Sequence, residues 1–386
     1  MTVLNFPGVQ DRQTEFDVIC FCHLRWDFVF QRPQHLMTRF ARRGRVFIVE
    51  EPVGTDNEAR LDVSDRGNGV FVCVPQLPSG SNADQEIPKL LTKLIDEHLI
   101  TNYINWFYTP MMLDWADGLE PLAIVYDCMD QLSAFSGAPP ELVEKERKLF
   151  ERADVVFTGG QSLYEAKREQ HENVHAFPSS IDAQHFGKAR SISEEFPQQA
   201  NIPHPRVGFV GVIDERMDVP MVGKAAELRP DWQFVMVGPV VKIDEATLPR
   251  PENIHYLGQQ GYEDLPAILA GWDVAVMPFA LNESTRYISP TKTPEYLAAG
   301  LPVVSTAIKD VVTPYGDLDL VSIVSTPEEF VSAIETAMTE DSQDRRIRAD
   351  AYLSNFSWDK TFQGMYELIQ QVTSGGTKAA ADAATQ

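Results

Sequence analysis

Hydrophobic positions along the chain alternate between two textures. Short runs rich in Val, Ile and Phe recur at 17–22, 45–49, 69–74, 104–108, 122–127, 154–158 and 174–177. Being apolar on successive positions rather than every second one, they predict strands buried on both faces of a parallel sheet. Between several of them, spacing of three and four predicts helices at 33–43, 88–99, 139–152 and 161–170, with Pro33 in a first turn and Pro139–Pro140 opening another. Strand and helix taking turns in this way predict a doubly wound α/β sheet.

The series breaks at 187–205, GKARSISEEFPQQANIPHP, which is polar, contains prolines and follows neither period. Such a stretch reads as an interdomain linker. Strand patterns then restart at 206–210, 233–237, 274–277 and 302–305, with helices near 219–228, 262–270 and 292–299. Further helical patterns at 327–338, 345–354 and 358–370 close the chain. The expected fold class is therefore α/β, two Rossmann-like domains facing a central cleft: residues 1–190 and 204–354, with 373–386 a disordered tail.

Composition narrows the function. The 386 residues carry a formal net charge of -23, which opposes general nucleic-acid binding, because that binding rests on Lys and Arg. Any phosphate ligand needs a local positive site. The four cysteines, Cys20, Cys22, Cys73 and Cys128, lie inside apolar runs and read as buried thiols, without the second pair a zinc site needs. No metal and no cofactor are expected. Residues 1–16 lack the basic and apolar regions of a signal peptide, and no apolar stretch reaches a membrane span of ~18 residues. A cytoplasmic protein is expected, in peripheral contact with the inner face of the membrane if the basic group Arg39, Arg42, Arg43 and Arg45 meets anionic lipid or an anionic acceptor. The same arginines also suit the end of the first helix.

Chemistry concentrates in 286–304, RYISPTKTPEYLAAGLPVV, between two predicted strands. Ser289, Thr291 and Thr293 can cap a helix, Pro290 or Pro294 can occupy its first turn, and Gly300 with Pro302 ends it, leaving two start points open. From either one, free backbone N–H groups and the charge of Lys292 suit a phosphate, and Glu295 one turn on suits a pair of vicinal hydroxyls such as a ribose presents. An ordinary Lys292–Glu295 helix pair fits the spacing equally well.

The stretch SPTKTPEYLAAGLPVV resembles the donor-site segment of GT-B glycosyltransferases. WDFVFQRPQH at 26–35, VYDCMDQLSAF at 125–135, ADVVFTGGQSL at 153–163 and GFVGVIDERMD at 208–218 make the chain similar to bacterial cell-surface polysaccharide enzymes of the teichuronic acid glycosyltransferase-like kind. FSWD at 356–359 resembles that family's ending, which implies a last helix, 357–372, crossing back onto the N-terminal domain. The resemblance further implies that Gly211 lets the backbone approach a diphosphate, that Arg216 adds charge to it, and that Gly238 and the Leu257–Gly258 segment border the base, most commonly uridine. Retaining members place a glutamate eight residues before the ribose-binding one; here that position is Tyr287, so retention or inversion stays open.

On the acceptor side, HLRWDFVFQRPQH at 23–35 mixes aromatic, acidic and basic residues after the first strand, a mixture that suits sugars. His23, Asp27 and Arg32 are candidates there, with Trp26 as an acceptor face. Asp127 and Asp130 follow the fifth strand, and Asp130, farther past its end, is the first candidate for the base that deprotonates an acceptor hydroxyl. His23 and Asp27 are its rivals. The expected function is transfer of a sugar from a nucleotide-sugar donor to a glycan or lipid-linked acceptor in cell-surface polysaccharide synthesis. A non-hydrolysing nucleotide-sugar epimerase and an inactive nucleotide-sugar-binding partner of another transferase are the alternatives. A dinucleotide dehydrogenase is disfavoured, since neither half shows G-x-G-x-x-G followed by an acidic residue at the required distance.

Overall fold

The computed structural model describes residues 16–340 and 342–383, and of the side chains none beyond residue 374. Among these residues the first sheet contains β1 (Asp17–Phe21), β2 (Val46–Val49), β3 (Val53–Thr55), β4 (Arg60–Asp65), β5 (Val70–Pro78), β6 (Tyr103–Phe107), β7 (Ile124–Cys128), β8 (Val155–Thr158) and β9 (Val174–Ala176). Their order is β3-β5-β2-β1-β6-β7-β8-β9, parallel throughout, and β4 pairs antiparallel on β5. β1, β2, β6 and β8 are buried at every position, as their predominantly apolar runs favour, with Asp17, Asn105 and Thr158 as buried polar exceptions. β3 and β4 lie outside the predicted series because β3 has only three residues and β4 is mostly polar and rests on the sheet edge.

The second sheet runs β12 (Ile254–Gly258), β11 (Gln233–Val237), β10 (Arg206–Val210), β13 (Val274–Met277), β14 (Val303–Thr306), β15 (Ser322–Val324), all parallel. That is the 3-2-1-4-5-6 order of a Rossmann sheet, with its switch point between β10 and β13. β12 and β15 escape the sequence pattern because they are peripheral and only partly apolar, and β15 is also short.

The chain crosses between the two cores twice. Phe177 still hydrogen-bonds to Thr158 of the first domain, whereas Ile181, Phe186, Ala189 and Ile202 pack in the second core. The crossing therefore precedes Ile181, and the stretch read as a linker is instead a covering of the second domain, held by those apolar residues. The return crossing follows Leu353, and the last helix, Trp358–Ala383, lays Trp358, Phe362, Met365, Tyr366 and Ile369 on the first core. It continues past the point where a disordered tail was expected: 373–383 are helical, while 384–386 lie outside the described residues.

Trp358 is 2% exposed and stacks on His35 at 4.4 Å between ring centroids. Its replacement by Ala should cost about 3–5 kcal/mol by leaving a large cavity at the domain junction. Urea denaturation followed by circular dichroism checks this.

The basic group at the first helix, α1 (Arg32–Phe40), is largely engaged within its own domain. Arg39 and Arg42 pair with Asp359, Arg45 pairs with Asp17, and Arg43 lies over Tyr366. Among the described residues no helix is long and apolar enough to cross a membrane. All four cysteines are buried, and burial pushes the thiols of Cys22, Cys73 and Cys128 up to about 12.

Candidate active site

A cleft of about 820 Å³ opens between the carboxyl ends of the two sheets, where open α/β folds take ligands. Its walls include Trp26, Asp27, Arg32 and Asp130 from the first domain and Gly211, Arg216, Gly238, Ser289, Thr291, Lys292 and Glu295 from the second. Eleven of the twelve sequence candidates thus border one cavity; His23 does not.

The C-terminal wall is built on two glycine turns. Gly211 follows β10 and donates to Val237 O at 2.9 Å, and Gly238 follows β11 and donates to Gly258 O at 2.8 Å. Gly238 has φ 141, and a Cβ there would stand 1.8 Å from Gly211 O. Only glycine allows the two loops to approach this closely, which leaves bare backbone facing the cleft. Beside it, Arg216 lies over the Phe135 ring of the opposite domain at 5.5 Å and pairs with Asp214 at 2.7 Å. Asp214 thereby orients the guanidinium but also takes up part of its charge.

The helix after Ser289 begins at Lys292, with Thr291 at its cap position and Pro294 in its first turn. Thr293 is turned inward, its Oγ1 donating to Met277 Sδ at 3.4 Å. Lys292 Nζ donates to Glu295 Oε2 at 2.7 Å, with the two side chains 21% and 9% exposed. The i,i+3 pair is therefore real but sits in the cleft rather than on an open helix face. Burial raises the Glu295 carboxyl while Lys292 opposes the shift.

On the N-terminal wall the loop after β1 is tied down at several points. Glu50 accepts from Arg25 Nη1 at 2.8 Å and from Trp26 N at 2.7 Å, and Gln34 Nε2 donates to Trp26 O at 2.8 Å. Asp27 is exposed and paired with Arg66 at 2.6 Å. Arg32 requires a correction. Its Nε and Nη2 hold the fully buried Asp127 at 2.9 and 2.8 Å, and Nη1 reaches Phe177 O at 2.8 Å. An arginine so engaged joins α1 to β7 and the end of β9 rather than waiting for an acceptor. Breaking a buried pair by removing one partner strands the other charge, so Arg32→Met should lower unfolding stability by about 3–5 kcal/mol in urea titration.

Asp130 stands in the cleft beyond β7, opposite the second domain. Burial pushes its carboxyl up to about 6, against the attraction of Arg216 and Arg32. His23 is enclosed, its Nδ1 without a hydrogen-bond partner among the described residues, and burial lowers it to about 4. The same burial disfavours the imidazolium it would become on taking a proton, and it lies off the cleft wall, so it is the weaker candidate for the base. Asp27 is exposed and its carboxylate is engaged by Arg66.

Several lining residues carried no readable signal. Gln259, Gln260 and Tyr262 follow the peripheral β12, and Phe279 follows β13. Tyr262 stacks on His185 at 4.3 Å and meets Phe30 of the first domain at 4.5 Å. Gln259 Nε2 also donates to Phe28 O across the cleft. These contacts join residues far apart in sequence, and no local pattern announces them.

Two α/β domains with a shared cleft and a returning C-terminal helix define a GT-B fold. The comparisons agree: residues 204–340 match the family described as glycosyl transferases group 1. The chain is 27% identical over 202 residues to the putative teichuronic acid biosynthesis glycosyltransferase TuaH of Bacillus subtilis, a match spanning 47% of this chain and 50% of that protein. In structure it is similar to sucrose-phosphate synthase from Thermosynechococcus elongatus, with TM-score 0.70 and 15% identity over 93% of this chain and 100% of that one. It is also similar to Anabaena HepE in complex with UDP and glucose, with TM-score 0.63 and 14% identity over 92% and 99% of the two chains. By fold the chain is thus a GT-B protein, and its residues 204–340 are similar to the glycosyl transferases of group 1.

Proposed function

We propose that this chain transfers a sugar from a nucleoside-diphosphate sugar, with uridine as the base, to a hydroxyl of a glycan or lipid-linked acceptor in cell-surface polysaccharide synthesis. The observation that carries the reading is the division of one cleft. Bare glycine backbone, Arg216 and Lys292 line one wall, and a desolvated carboxylate, Asp130, lines the other. The diphosphate lies along Gly211 and Gly238, where Arg216 and Lys292 meet its charge, and Glu295 accepts from the ribose hydroxyls. In the transfer the acceptor oxygen bonds to the anomeric carbon as the bond from that carbon to the diphosphate breaks. The acceptor proton passes to Asp130, and the electron pair leaves with the nucleotide, stabilised by the two cations. Because those cations supply the charge, the reaction runs without metal.

Uridine is favoured because HepE, of the same fold, is described with UDP, and the polysaccharide acceptor because TuaH bears on teichuronic acid. The test is UDP release from a panel of UDP-sugars, with and without bacterial surface glycans as acceptor and with chelator present. Acceptor-dependent UDP release is expected. Conversion of one sugar nucleotide to its epimer with no acceptor would replace this reading with the epimerase. Proton NMR of the product reads whether the anomeric centre inverts.

A further inference from the structure

We infer that Asp310 is a positioning residue that latches the second domain onto the 160–162 turn of the first and so fixes where the Ser289 segment stands in the cleft. Asp310 lies just beyond β14 and is 7% exposed. Its Oδ1 accepts from the backbone N–H of Ser162 at 3.0 Å, across the domain boundary. Its other oxygen faces Gly160: a Cβ on that glycine would stand 2.3 Å from Asp310 Oδ2 and 2.8 Å from Ser289 Cβ. Gly160 is thus the point at which the first domain touches both the latch and the start of the donor segment. The neighbouring Gly159 and Ser289 both line the cleft.

Two more contacts surround this point. Tyr287, two residues before Ser289, packs against the first domain's core, and Lys309 pairs with Glu165 at 2.6 Å. The Lys309–Glu165 pair is exposed, so water screens it and it contributes little. The Asp310 bond is of the stronger kind, a carboxylate accepting from backbone N–H out of water. Among the described residues the hydrogen bond of the Asp310 side chain runs to the other domain. Its side chain therefore favours the closed arrangement over any open one, and Ser289 is brought against the first domain when the two meet.

The consequence for transfer rests on the nucleotide-sugar reading; the closure itself does not. Small-angle scattering of the full chain compares wild type with Asp310→Ala, Asp310→Asn, Gly160→Ala and the Gly160→Ala/Asp310→Ala double variant. Lys309→Ala serves as control, and UDP titration accompanies each sample. Asp310→Ala and Gly160→Ala should each enlarge the radius of gyration, and Asp310→Asn should do so less. The double variant should expand no further than either single one, because both act on one contact. Lys309→Ala should scatter as wild type. UDP affinity should change little while UDP-sugar turnover falls roughly tenfold, the split expected of a residue that assembles the closed state rather than binding the donor. Wild-type dimensions for Asp310→Ala, a lowered melting temperature with turnover intact, or additive expansion in the double variant would each overturn the latch. Failure of UDP to bind wild type would instead sink the nucleotide-sugar reading and leave the scattering result standing.

Discussion

Asp130→Asn should lower kcat about 10²–10⁴-fold, the range that a positioned general base contributes. The substitution keeps the size and most hydrogen-bonding capacity of the side chain and removes only its ability to take a proton. UDP affinity should stay near wild type, since the residue belongs to the wall opposite Arg216 and Lys292. The pH profile gives a second, independent signature. A base works ionised, so the wild-type rate should fall as pH drops through about 6, the value to which burial has pushed this carboxyl. In Asp130→Asn that acid limb should vanish. His23 at about 4 and His35 at about 3 titrate below this window and do not imitate it.

The second large effect concerns Lys292→Ala, which should weaken UDP binding by about 2–3 kcal/mol, or roughly 30- to 150-fold in Kd. Two losses combine. The diphosphate loses a cation, and Glu295, buried and previously paired at 2.7 Å, becomes an uncompensated carboxylate beside it. Adding Glu295→Gln to Lys292→Ala should therefore recover part of the affinity, although Glu295→Gln alone weakens binding. Calorimetric titration of the four proteins checks the cycle. Equal and additive losses would mean the two side chains do not share a ligand.

How much of this was legible in the sequence depends on whether a residue's partner lies nearby along the chain. The mostly apolar runs at 17–22, 45–49 and 206–210 announced central parallel strands because burial on both faces favours apolar residues at successive positions. Peripheral β4, β12 and β15 were hidden, since one exposed face or edge permits mixed composition. The segment 187–205 looked like a linker because its apolar anchors, Ala189, Phe196 and Ile202, are sparse and polar residues separate them. For the site, the 286–304 stretch was readable because cap, charge and helix stop are local. Arg32 was misread for the opposite reason: its partner Asp127 is 95 residues away, so an arginine that holds two strands and a helix together resembled a free ligand group. Asp310 left no trace at all, because its meaning lies wholly in a contact 148 residues distant.

The most direct test of the central claim is a crystal structure of the chain grown with UDP. The expected density places the diphosphate against the Gly211 and Gly238 backbone within reach of Arg216 and Lys292, and the ribose at Glu295. Ordered UDP bound anywhere outside this cleft, or within it but with its diphosphate away from both cations, would contradict the assignment.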